Sequence, residues 1–220
     1  MQSLNGLFRL TSAVIVLNAL SLYVSFTAFT VGTTYYTSTA SPGSSCATAL
    51  DPTGAITPQE MVSLACTTAG LGDTVVFLDG TYTAAIDFSA LCLSGTASLQ
   101  TVCRSLNKWG AVIAQTGNQT TAEVLLTQRS YVTLDGFDID ASSQGFSDWS
   151  RCIHLKLSSA VIQYGVRLLN NRCRGNQSNG FSSDNTGTST SPTAWYATML
   201  VSGNVIDSPG SPAFTSQGIP

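Results

Sequence analysis

Along most of this chain apolar residues come in short runs, each closed by Gly, Asn, Asp or Ser. The stretch GDTVVFLDGTYT (Gly72 to Thr83) is typical: Val75, Val76, Phe77 and Leu78 lie between a Gly-Asp turn and an Asp-Gly turn. A run so short, bulky and abruptly closed predicts a buried strand rather than a helix. One segment differs. TPQEMVSLACTTAG (Thr57 to Gly70) places Pro58 at a first helical position, Met61, Leu64 and Ala65 on one face, and Gly70 as a stop. That pattern predicts one short helix, and everything after it reads as strands.

The later strands repeat. VTLDGF (Val132 to Phe137), VRLLNN (Val166 to Asn171) and MLVSGN (Met199 to Asn204) each carry two apolar residues two apart and then a polar corner. Leu168 follows Leu134 by 34 residues, and Val201 follows Leu168 by 33. Between them lie CIHLKL, NGFSSD and, at Pro220, QGIP. A recurring unit of strand, corner and strand with variable loops predicts a stacked solenoid, since one rung alone cannot bury its inner apolar residues. Asn170, Asn171 and Asn204 fall at equivalent corners and predict an asparagine ladder that bonds backbone groups between rungs.

The N-terminus has a different character. Arg9 precedes the apolar stretch LTSAVIVLNALSLYVSFTAF, so residues 1–30 read as a secretory signal peptide, with an uncleaved membrane anchor as the rival. The domain proper then runs over residues 35–220. Hydrophobic residues make up 43% of the chain, which excludes a disordered protein. Only 10% are charged and the formal net charge is -3, so there is no basic stripe for nucleic acid. Six cysteines (Cys46, Cys66, Cys92, Cys103, Cys152, Cys173) with no C-x-x-C and one histidine point to disulfides rather than zinc. Their spacing alone does not choose among the possible pairings. Asn118-Gln-Thr and Asn176-Gln-Ser are glycosylation sequons. These features agree on a secreted, extracellular protein.

YYTSTASPGSS, a short helix and then GDTVVFLDGTYT together resemble the opening of right-handed parallel β-helix proteins of the pectin-lyase-like superfamily. YVTLDGFDID, LLNNRC and VSGNVI are similar to rungs of that fold. Within the superfamily, the opening is most similar to calcium-dependent pectate lyases of polysaccharide lyase family nine and to secreted relatives. The resemblance implies an all-β, right-handed parallel β-helix (solenoid) with one short N-terminal helix, monomeric and incomplete at its C-terminus, because a further strand begins near Pro220. It also implies calcium-dependent β-elimination on an acidic, pectate-like polysaccharide. FSALCLSGTASLQTVCRSLNKWG departs from the family pattern and reads as an insertion pinned by a Cys92–Cys103 bridge.

Such an elimination requires a cation to neutralise the uronate carboxylate and a base to take the adjacent proton. DGFDID offers Asp138 and Asp140, two apart on a strand and therefore on one face, as calcium ligands, with Asp135 at the corner. In RCIHLKL, Ile153, Leu155 and Leu157 alternate inward, leaving His154 and Lys156 side by side outside as catalytic candidates. Arg151, placed in the preceding loop, and Trp149 are the substrate-binding candidates; Trp109, Tyr164 and Trp195 are further stacking platforms. Arg172 and Arg174, near a turn, read as loop contacts or solubility. No lysine follows DGF at the short distance of the lyase motif, so no catalytic residue carries over from the family. Each of these groups also fits an ordinary solvated strand face. A second class therefore stands beside the enzyme: a non-catalytic secreted β-helix that binds glycans or serves structure, or an inactive fragment.

Overall fold

The computed structural model describes residues 32–116, 122–143, 151–157, 162–175, 179–185, 196–207 and 214–216. Chain contacts divide the protein at Thr30, and the expected signal segment lies outside the described residues, as do Asn118, Trp149, Asn176 and Trp195.

All strand pairing is parallel. Sheet A joins Thr34–Thr37 (β1), Thr74–Phe77 (β2), Thr101–Ser105 (β4), Val132–Asp135 (β7), Arg167–Leu169 (β11) and Leu200–Ser202 (β15), in that order. Sheet B stacks Gly80–Tyr82 (β3), Ala111–Ile113 (β5), Asp138–Asp140 (β8), Arg172–Arg174 (β12) and Val205–Asp207 (β16). Sheet C stacks Val124–Thr127 (β6), Arg151–Leu157 (β9), Asn179–Asn185 (β13) and Phe214–Ser216 (β17). Gln163–Tyr164 (β10) pairs with Tyr196–Ala197 (β14) outside these faces. From β4 onward the chain visits A, B and C in turn and returns one strand further along each; before it, β1, β2 and β3 supply only sheets A and B. It is a parallel β-solenoid.

The repeat read from sequence is the register of sheet A. Leu134 pairs with Leu168, and Leu168 with Val201. Val75, Cys103, Leu134 and Leu168 stack inward along sheet A, and Tyr82, Ile113, Ile139 and Cys173 along sheet B. Phe77 fills the centre, with its ring 5.0 Å from Phe137, 5.3 Å from Tyr82 and 5.7 Å from Phe88. Aromatic pairs at these separations add about 0.5–1.5 kcal/mol each beyond the burial of their area. The Tyr82 hydroxyl, buried among them, donates to Leu78 O at 2.8 Å, and burial pushes its pKa up, with Asp79 adding to the effect.

The corner between sheets A and B follows one rule on three successive rungs. Gly136, Asn170 and Gly203 occupy the left-handed region, with φ of 76°, 53° and 66°. That conformation suits glycine and, next best, asparagine. Asn170 is thus the corner residue rather than a ladder member, and its Nδ2 donates to Asp135 Oδ1 at 2.9 Å. The ladder is Asn171 and Asn204. Asn171 Oδ1 accepts the Phe137 N–H at 3.1 Å, and its Nδ2 donates to Leu134 O at 3.0 Å. Asn204 repeats both bonds one rung later, accepting from Asn171 N at 2.8 Å and donating to Leu168 O at 2.7 Å.

The predicted helix is shorter than its pattern. It covers Pro58–Ser63 (α1), with a capping box in which Thr57 and Glu60 satisfy each other's backbone N–H. Ala65 turns left-handed at φ 50°, and Cys66 is tied to Cys46, so the segment ends well before Gly70. A second helical turn, Phe88–Leu91 (α2), stands where only strands were expected. It packs on the first strand of sheet C, where Ser89 Oγ accepts from Thr127 N at 2.9 Å and donates to Leu125 O at 3.1 Å. A free edge of backbone donors and acceptors is thereby partly covered. Cys92–Cys103 forms as expected, and Cys152–Cys173 ties sheet C to sheet B.

Candidate functional site

Two outer faces carry the residues singled out from sequence. On sheet B, Ile139 points inward, while Asp138 and Asp140 lie on the outer side of β8. In the next rung Arg172 stands over Asp138 and Arg174 over Asp140. Arg174 engages both carboxylates: its Nε donates to Asp138 Oδ1 at 3.0 Å and Oδ2 at 3.1 Å, and its Nη1 lies 2.6 Å from Asp140 Oδ2. Arg172 reaches Asp138 at 4.0 Å and Asp207, one rung further, at 3.4 Å. Arg172 and Arg174 are thus neither loop contacts nor solubility groups; they are strand residues in a ladder of ion pairs.

This arrangement bears directly on calcium. A calcium ion takes several oxygen ligands at about 2.3–2.6 Å, which requires carboxylate lone pairs directed at one point. At Asp138 both oxygens already accept from one guanidinium, and that guanidinium also holds Asp140. A divalent cation here would sit against a fixed positive charge. The residues present do not fit calcium, and among the described residues no other cluster of acidic, histidine or cysteine side chains has metal-binding geometry.

On sheet C, Ile153, Leu155 and Leu157 are buried inward, as the alternation predicts. His154 and Lys156 follow each other on the outer side, in register with Leu125 and Thr127 of β6. His154 also pairs with Ser182 of β13. His154 is only 5% exposed, and Arg151 Nη1 lies 3.1 Å from its Nε2. A guanidinium can only donate, so in this contact the imidazole accepts at Nε2 and carries its proton on Nδ1. Arg151 is not in a loop. It is the first residue of β9 and 4% exposed, so it supports the histidine from within. Lys156 is half-buried and is the member of the trio that reaches the surface.

Beside this face opens a cavity of about 510 Å³, lined by Ile86, Asp87 and Phe88 at the start of α2 and by Glu123, Leu125 and Thr127 of the first sheet C rung. Asp87 caps α2 by accepting the Ala90 N–H at 2.9 Å, and Glu123 accepts the Gln115 N–H at 2.7 Å. Arg129 Nε donates to Ser89 O at 2.7 Å on the same flank. Residues 85–87 were missed from sequence, and Phe88–Leu91 were read only as the start of an insertion, because four helical residues show no period. The ion-pair ladder, by contrast, carried a signal: Arg172 follows Asp138, and Arg174 follows Asp140, by the same 34 residues that separate Leu134 from Leu168.

No family model and no curated protein sequence matches this chain. The likeness to family nine pectate lyases therefore rests on the motifs quoted above. Among solved structures, the alginate lyase from Paenibacillus sp. str. FPU-7 is similar, with a TM-score of 0.37 and 16% identity. The match covers 67% of this chain and 61% of that one. Three disulfides are compatible with an oxidising, extracellular setting, and among the described residues no helix is long and apolar enough to cross a membrane.

Proposed function

We propose that this protein is a secreted β-solenoid that holds an acidic polysaccharide along the outer face of sheet C, without calcium and without cleaving it. The observation that carries this reading is the double engagement of Asp138 and Asp140 by Arg174. It occupies the two carboxylates that a calcium-dependent elimination would use on this chain. The acidic class of polymer follows from the family resemblance and from the cations of that face. Lys156 lies in register between Thr127 of β6 and Asp184 of β13, and Arg129 is anchored to Ser89 O on the same flank. Lysine and arginine heads meet uronate carboxylates by charge-assisted hydrogen bonds.

Retardation of the purified chain in gels containing polygalacturonate or alginate, with a neutral glucan as control, tests this. The expected result is retardation by the acidic polymers that persists in excess chelator. The same mixtures are followed by ultraviolet absorbance for unsaturated uronides. Calcium-dependent appearance of such products overturns the reading and restores the lyase.

A further inference from the structure

We propose that the corner between sheets A and B is a separate binding site for a single carboxylate-bearing sugar ring, a uronate, and this rests on the corner's own geometry rather than on sheet C. A cavity of about 170 Å³ opens there between Arg104, Ser105, Lys108, Asp135 and Asn170. Binding sites for drug-sized ligands occupy about 300–1,000 Å³, so this one admits one ring rather than a chain.

Its charges are not spent on each other. Arg104 and Asp135 are cross-strand neighbours in register on β4 and β7. Yet among the described residues Arg104 makes no ion pair, because the Asp135 carboxylate is turned to Asn170 Nδ2 at 2.9 Å. Lys108 likewise has no carboxylate partner there; its Nζ sits 4.6 Å from the centre of the Trp109 ring. Trp109 is fixed by two bonds to later rungs, from its N–H to Gly136 O at 2.6 Å and from its Nε1 to Asn170 O at 2.7 Å. It holds a left-handed backbone at φ 66°, unusual for an aromatic residue. Arg172 flanks the same ring at 5.6 Å.

The chemistry of the ligand follows from these groups. Arg104 presents a planar fork that matches a carboxylate, and Lys108 adds a second positive charge. Asp135 keeps acceptor capacity and calls for a hydroxyl donor, which a sugar ring supplies. Inorganic phosphate satisfies the cations, but its extra negative charge meets Asp135. Trp109 stands behind this lining with Lys108 Nζ 4.6 Å from its ring, so a ligand that draws Lys108 away changes the surroundings of the indole.

The test is titration of the full chain with monomeric galacturonate, glucose and inorganic phosphate, read by tryptophan fluorescence and by calorimetry. Saturable binding of galacturonate alone is expected, with the fluorescence change lost in Trp109→Phe. Arg104→Gln and Lys108→Gln, both at side chains that reach solvent, should each weaken binding about tenfold or more. Thermal unfolding of each variant confirms that the fold persists. Absence of saturable binding, equal binding of glucose, tighter binding of phosphate, or undiminished galacturonate binding in both Arg104→Gln and Lys108→Gln each overturns the proposal.

Discussion

Replacing Arg174 by Gln separates two accounts of the aspartates on sheet B. Removing one partner of a buried ion pair costs about 3–5 kcal/mol, because the other charge is left uncompensated. Here the Asp138 side chain is 9% exposed but Arg174 is 34% exposed, so water screens part of the pair. Arg172 also remains 4.0 Å from Asp138. The expected loss is therefore smaller, about 1–3 kcal/mol. For a domain of this size, each kcal/mol moves Tm by about 2–4 °C, so the variant should melt roughly 2–12 °C below the wild type. The same substitution frees both carboxylates. If calcium then binds the pair, a free concentration of about 100 times Kd adds about 2.7 kcal/mol and recovers much of the lost Tm. Scanning calorimetry of both proteins, in chelator and in calcium, reads both effects. The account expects the wild-type Tm to ignore calcium and the variant to respond. A wild-type Tm that rises with calcium as much as the variant's refutes it, since the aspartates would then have been available throughout.

Asn171→Ala removes the partner of the buried Phe137 N–H and a donor to the Leu134 carbonyl, at about 1–3 kcal/mol each, so urea unfolding should show a loss of about 2–6 kcal/mol at unchanged slope. Asn170→Gly, at a left-handed corner, should cost far less by the same measurement. Opening Cys92–Cys103 by a double Ser substitution releases a loop closed over a separation of 11 residues and should cost about 2–3 kcal/mol in the same unfolding experiment. Hydrogen bonds from Ser41 and then Thr57 hold the Glu60 carboxyl below its ordinary value of 4.5. The folded value is the lower one, so its contribution is present above the ordinary value and lost as pH falls through the lowered one. Protection of the amides in the first turn of α1, relative to their intrinsic exchange, should fall over that acidic window in the wild type but not in Glu60→Gln.

The periodic part of the fold was legible because a solenoid turns sequence spacing directly into cross-strand neighbours. The intervals that relate Leu134, Leu168 and Val201 are their pairing. Applied to polar residues, the same interval puts Arg172 over Asp138 and Arg174 over Asp140, so the ion-pair ladder was written in the chain although alternation alone suggested a calcium face. Burial of the charged residues of β9 was not legible. Alternation assigns His154 to the outer side but does not reveal that it is only 5% exposed, nor that Arg151 lies against it. The helix was overestimated at its C-terminal end, where Ala65 and the Cys46–Cys66 bridge stop a pattern that propensity would continue. Asparagine at adjacent corner positions was read as one ladder, whereas the backbone assigns Asn170 to the turn and Asn171 to the ladder.

The central claim is that this solenoid binds acidic polysaccharide on sheet C without calcium, and the most direct test is one titration. Polygalacturonate is added to the wild type and to Lys156→Gln in excess chelator, with binding followed by calorimetry and unsaturated products by ultraviolet absorbance. The account predicts saturable wild-type binding, clear weakening in Lys156→Gln, and no unsaturated product either in chelator or after calcium is restored. Binding or product formation that appears only when calcium is returned would contradict it.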